Sequence, residues 1–392
     1  MLKKAFCVIS AILLLTNCVS KTTTATSATG KPASEITQPI LEDNNSKATA
    51  EESAPLIIGG RQYRGQLGEM VEVEKGSWRI PGEPVYCTVD DIDKILIVLL
   101  WINPEDPESR NSLENIDLLY NLKELYIDGE NLDKVDFSPI SSLYNLEELV
   151  IDGNITRLPD LTSLERLNKI DIKKAALESL EGIGAPNVKR IEIEAVNGNI
   201  DSLAPLNNML MLEAIYITCL SDKVLKIADM ANMPSLKVLN FSGGKIDMHG
   251  IERLASLEDL VIYDCEPFNF EGIGRLNNLR GLMLNLISDN PSIDFLRGMP
   301  NIIYLDLFGH YSGLNDRYQN RYQKVEVFQV LDASPLATAT ALNELSFNNL
   351  IIKNISSLDV LNGISGGIRF EESRLYDEND KTRHGLNFGI RH

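Results

Sequence analysis

Histidine and cysteine are scarce in this chain of 392 residues, which has four of the first and five of the second. His249, His310, His384 and His392 lie far apart. They form no H-E-x-x-H, and no G-x-S-x-G, P-loop or Ser/His/Asp grouping accompanies them. Neither an enzyme nor a metal or cofactor site is expected. No C-x-x-C occurs, which removes zinc ribbons and redox dithiols, and the odd, unevenly spaced Cys87, Cys219 and Cys265 make no disulfide framework. Cationic charge is short as well: 37 Lys and Arg stand against 56 Asp and Glu, a net charge of -19. Such a surface repels phosphate backbones, so nucleic acid is not the expected partner, while solubility or a basic ligand is compatible with it. No apolar run is long enough to cross a bilayer as a helix.

The first residues, MLKKAFCVISAILLLTNC, place Lys3 and Lys4 before an apolar run from Ala5 to Leu15. That is the pattern of a secretory signal, read over residues 1–17. Its end, Leu15-Thr16-Asn17-Cys18, resembles a bacterial lipobox, with Asn17 departing from the small residue usual before the cysteine. The resemblance implies that Cys18 is lipidated and that the chain is exported and held in the cell envelope, at the outer membrane. Several acyl chains on one residue give stable anchoring where a single chain does not. Residues 18–55 are rich in Ser, Thr, Ala, Lys and Glu and read as a disordered tether, because they cannot bury enough surface to offset chain entropy. Residues 56–91, with short apolar runs between Gly and Pro, read as a β-rich N-terminal cap.

From residue 92 the chain repeats itself. Leu122, Leu146, Leu167, Val188, Leu212, Leu236, Leu257, Leu279, Ile302 and Leu342 recur at 21 to 24 residues, except for a last gap of 40. Each is followed by an apolar pair three and five residues on, from Leu125/Ile127 to Leu345/Phe347. The eight apolar residues Ile95–Ile102 read as the buried strand of a degenerate first repeat, with Ile92, Ile95 and Ile97 in the frame. Alternation such as E-L-Y-I-D makes a strand with one wet face, and the residues between strands suffice for a crossover to a parallel neighbour. They are too few for layered helices and favour turns and 3₁₀ pieces. The few Leu and Ile of one repeat cannot offset the entropy of ordering it, so the repeats must stack.

The frame resembles the leucine-rich repeat family over residues 92–362, and the short periods with tails such as SPISSLYNL and GIGRLNNL look most like the class that includes bacterial internalins. The resemblance implies an α/β solenoid: a horseshoe with a parallel concave β-sheet and a short 3₁₀ or turn convex side, capped at both ends. Where that family carries Asn or Cys at the ninth repeat position, only Asn154 and Cys265 do so here, which predicts that the usual side-chain ladder is mostly missing. His249 aligns with Val135, Leu180 and Ile355 and is expected to be partly buried. Cys219 and Cys265 fall two repeats apart, beyond disulfide reach, and are expected to be free thiols.

The concave face then carries the candidate site. Its early repeats expose charge, and its later ones expose Tyr216, Asn240, Val261, Tyr263, Met283, Tyr304, Asp306 and Phe308. Contiguous exposed apolar area marks interaction sites. An insertion at 309–329 adds Tyr318 and Arg321, residue types enriched in binding hot spots; it either extends this surface or folds back over it. Residues 363–392 read as a C-terminal cap, whose DENDK cluster lacks the spacing of a calcium loop. The expected function is binding of a protein or peptide, with adhesion implied by the internalin resemblance. The alternative is a periplasmic scaffolding lipoprotein.

The anchor is directly testable: cells fed a labelled fatty acid should transfer label to this protein, and Cys18→Ala should abolish it. A labelled Cys18→Ala variant would remove the lipidation reading.

Overall fold

The computed structural model describes residues 53–67, 71–74, 77–79, 83–195, 197–220, 223–286, 291–309, 329–361, 366–371 and 373–375. The signal, Cys18, all but the end of the tether, Tyr318, Arg321 and the DENDK cluster lie outside the described residues.

Twelve parallel strands form one sheet, ordered along the chain, and most of them, the first excepted, show the alternation of apolar and polar residues. They are β1 (Ile97–Ile102), β2 (Glu124–Gly129), β3 (Glu148–Asp152), β4 (Lys169–Lys173), β5 (Arg190–Ala195) and β6 (Ala214–Cys219). Then come β7 (Val238–Ser242), β8 (Asp259–Tyr263), β9 (Gly281–Asn285), β10 (Tyr304–Phe308), β11 (Glu344–Asn348) and β12 (Ile368–Glu371). The register sets equivalent residues side by side, for example Leu125 beside Leu149 and Leu149 beside Ile170. Every member of the ten apolar pairs is buried. The first leucines close the same core from the turn before each strand. One continuous hydrophobic column thus runs the length of the array.

Short 3₁₀ helices return the chain. Three of them, Ser138–Ser142, Ala204–Leu206 and Ser334–Thr338, carry proline in the first turn, where its missing N–H has no helical partner to lose. The return side also holds two small parallel sheets, which were not expected. One joins Val224–Lys226, Lys245–Asp247 and Glu266–Phe268, and the other Gln329–Asp332, Leu350–Lys353 and Arg374–Leu375. Strands of the first bury only their middle residues, Leu225, Ile246 and Pro267. Three residues are too few to show a period.

Both ends of the array differ from the sequence-based expectation. In the first repeat, Val98 and Leu100 pair with Leu125 and Ile127. The inward frame therefore starts at Ile95, not at Ile92, and the eight apolar residues are not all buried. At the other end, Ile368–Glu371 is not part of a separate cap: it pairs in parallel with β11 and continues the sheet. The place of its first leucine is held by Ser365, which hid the repeat. Before the array, antiparallel pairs join Ile57–Ile58 with Arg61–Gln62, Arg64–Gly65 with Val85–Tyr86, and Val71–Glu74 with Ser77–Arg79. Leu56, Ile58, Tyr63 and Cys87 there join the core of the repeats.

The side-chain ladder exists, but at another position. Asn154 does accept from the Leu132 N–H at 2.9 Å. The recurring contact, however, uses the residue just before the first leucine. Asn145 donates to the Tyr120 carbonyl at 2.7 Å, Asn187 to Glu165 at 2.7 Å and Asn278 to Ala255 at 3.0 Å. Asn301 donates to Asn277 at 2.9 Å, and Ser256 supplies the same contact to Pro234 at 2.7 Å. These bonds tie five of the turns to the one before. His249 is exposed, with its backbone N–H bonded to Asp247; the residue that turns inward there is Met248. Cys87, Cys219 and Cys265 are buried, and no disulfide joins any two of them.

Asn145→Ala leaves the Tyr120 carbonyl without its donor and should lower unfolding stability by about 1 kcal/mol. A denaturant titration checks this, with the midpoint falling and the slope unchanged.

Candidate functional site

On the face opposite the core, the register lines up three rows of side chains. The middle row runs Leu99, Tyr126, Val150, Asp171, Glu192, Tyr216, Asn240, Val261, Met283, Asp306, Ser346 and Arg369. One flanking row begins Trp101, Asp128, Asp152 and reaches Tyr263, Asn285 and Phe308; the other begins Ile97, Glu124, Glu148 and reaches Asp259, Gly281 and Tyr304. All eight concave candidates among the described residues therefore lie on this one face, half-buried.

The late repeats bring most of them into contact range. Val261, Met283 and Asp306 are direct neighbours on successive strands. Tyr263 and Phe308 meet edge to face, with ring centroids 5.3 Å apart, although β9 lies between their strands. The β9 residue of that row is Asn285, only 2% exposed, and its Oδ1 has no hydrogen-bond donor among the described residues. A buried amide oxygen without a donor costs about 1 to 3 kcal/mol. Gly281 leaves room for a carboxylate, since a Cβ there would lie 2.3 Å from Asp259 Oδ1. Burial pushes the Asp259 carboxyl up, and repulsion from Glu258 adds to the rise. The Asp306 carboxyl is also raised by burial, against the pull of the Ser346 hydroxyl and Arg369. The arrangement presents aromatic faces, a thioether and hydrogen-bond acceptors, but no nucleophile with a base. Among the described residues no group of three His, Cys, Asp or Glu could hold a metal ion.

Tyr216 stands apart from this group. Its ring lies under the Arg190 guanidinium, 4.4 Å from the centroid, and Arg190 Nε also donates to Glu192 at 2.6 Å. The middle of the face is an ionic belt. Lys169 meets Glu148 at 2.6 Å, Lys173 meets Asp171 at 3.2 Å and Lys174 meets Asp152 at 2.9 Å. Burial raises the carboxyls of Asp171 and Glu194, and neighbouring acids add to it. Acid outnumbers base here.

A parallel sheet in chain order, an unbroken buried leucine column and short 3₁₀ returns decide the architecture. The fold is a leucine-rich repeat horseshoe. Among solved structures it is similar to a leucine-rich repeat protein of Leptospira interrogans, at 16% identity over 73% of this chain and 75% of that one, with a TM-score of 0.50. It is also similar to an internalin of Listeria monocytogenes, at 19% identity over 75% and 85% of the two chains, with a TM-score of 0.49. No protein-family model matches the sequence, and no curated protein does. No helix among the described residues is long and apolar enough to cross a membrane.

The leucine-rich repeat face is not polarised as its sequence suggested. Leu99 and Trp101 on β1 are 66% and 51% exposed, more than any late candidate. The run of eight apolar residues concealed them, because nothing alternates within it. Aligning Ile95 with Leu122 would have revealed the frame. Asn285 was also missed: only the pairing of rings across its strand makes it notable.

Asp306 offers a pH test. Its folded-state carboxyl is raised, so proton uptake favours the folded state, and the cost of its charge is present at neutral pH and lost as pH falls through the folded pKa. Asp306→Asn should unfold at higher temperature than the native chain at pH 7. The difference should shrink as pH falls through the raised folded pKa and vanish below the ordinary Asp value of about 4. Melting curves across that range check it.

Proposed function

We propose that this chain is an exported recognition protein, lipid-anchored through Cys18 to the bacterial outer membrane, that binds a protein or peptide through the concave face of its later repeats. The observation that carries the binding site is the Tyr263 and Phe308 ring pair with the buried, donorless Asn285 oxygen between their strands. A sheet that served only to hold repeats together would gain from an apolar or exposed residue at that position. A partner that parts the rings and supplies an N–H removes the penalty in the complex only, which favours the bound state.

Val261 and Met283 in the middle row, and Tyr304 in the far row, extend this point with apolar and aromatic area on paired strands, so little ordering entropy opposes contact. Asp306 beside Met283 adds a carboxylate that already bears part of its desolvation. The ionic belt on β3 to β5 supplies a negative field that speeds approach of a basic partner and adds less to the final affinity. The acidic net charge has the same effect at longer range.

With the full chain as bait, a partner captured from envelope or host extracts should be retained about tenfold less, or not at all, when Tyr263, Met283 and Tyr304 are all changed to alanine. The melting temperature and circular dichroism should stay close to native. Equal capture by the folded triple variant would sink the site.

A further inference from the structure

The first strand carries a second exposed apolar feature at the opposite end of the sheet. Leu99 and Trp101 are neighbours on one face of β1, two residues apart, and Tyr126 stands beside Leu99 on β2. β1 ends the sheet, so among the described residues no further strand flanks them on the other side. Hydrophobic side chains this exposed, on a strand whose interior residues Val98 and Leu100 are fully packed, do nothing for the core.

Their surroundings are acidic. Trp101 pairs in register with Asp128, which is exposed, and the next residue of that row is Asp152. Ile97 leads to Glu124 and Glu148 in the same way. The cations that reach this quarter are committed elsewhere: Lys169 to Glu148, Lys174 to Asp152 and Lys134 to Glu105. Among the described residues neither Glu124 nor Asp128 has an ion-pair partner, and Glu124 accepts only the Tyr126 hydroxyl, at 2.8 Å.

We infer that this end of the concave face is a docking site for an extended basic segment of a partner protein. The segment's apolar side chains would lie on Leu99 and Trp101, and its Lys or Arg side chains would meet Asp128 and Glu124. Three features select that occupant. The exposed apolar pair has the two-residue spacing of one face of an extended strand. The carboxylates without partners match cations and oppose an acidic or neutral segment. The indole of Trp101 adds a face over which a guanidinium binds by cation–π attraction. The site is separate from the late repeats, and either can fail without the other.

The chain has two tryptophans, Trp78 and Trp101, so in a Trp78→Phe background Trp101 reports alone. The probe is a synthetic peptide of about 12 residues, rich in Lys and Arg around a Leu-x-Leu pair. It should shift Trp101 emission to shorter wavelength, with affinity falling about tenfold or more as salt rises. Leu99→Ser and Asp128→Asn should each weaken it about tenfold with melting unchanged. Control peptides with Glu for the basic residues, or Ser for the leucines, should not bind. Equal binding of either control, or unaltered binding by both folded variants, overturns the proposal. So does a Trp101 already shielded from the neutral quencher acrylamide in the peptide-free chain, since the site would then be covered by the chain itself or a second copy.

Discussion

Parallel register between identical frames is the constraint from which the rest of this molecule follows. Each strand accepts its neighbour only when the two inward leucine positions coincide, because a slip of one residue would turn the buried pair into solvent. Once the frame is kept, every outward position is aligned as well. A residue on the concave face therefore has a fixed neighbour on either side, and chemistry can be assembled from strands that are 21 to 24 residues apart in sequence. Length variation is confined to the returns, where the large gap between Ile302 and Leu342 is accommodated without loss of pairing between β10 and β11.

Electrostatic cost is distributed along that face in a way that separates holding from binding. In the belt on β3 to β5, acids lie next to bases, and the ion pairs offset part of the desolvation that still raises Asp171 and Glu194. Towards β8 to β11 the acids are fewer and less well paired, while Asn285 lacks even a neutral donor. Residual cost there is what a ligand can relieve. The belt gives a partner little new, since its best contacts are already made internally.

Much of the architecture was legible because leucine spacing and strand alternation are strong, repeated signals. The ten apolar pairs and the concave candidates all fall where the frame put them. What was not legible has local causes. Leu99 and Trp101 were hidden because apolar outward residues erase the alternation that marks faces. β12 was hidden because Ser365 replaces a leucine and glycines follow it. The asparagine ladder at Asn145, Asn187, Asn278 and Asn301 was not legible because the position before the first leucine holds Arg166, Met211, Ser235 or Ala341 in other repeats and so shows no constant residue. His249 was misplaced because Met248, one residue earlier, takes the inward position in a return strand too short to show its phase.

The two ends of a solenoid are its physically weakest parts, since a terminal repeat has one neighbour instead of two. At β1 the core side of this problem is solved by Leu56, Ile58, Tyr63 and Cys87, which close the column from the preceding antiparallel pairs. The solvent side carries Leu99 and Trp101, where polar residues would have served stability and solubility equally well. On the reading that this end docks a basic segment, the constraint that keeps an indole and an isobutyl group in water on its outer face is binding and not folding. Because the register continues that outer face into Tyr126 and Asp128 without a break, the constraint acts on the same surface that the later repeats use.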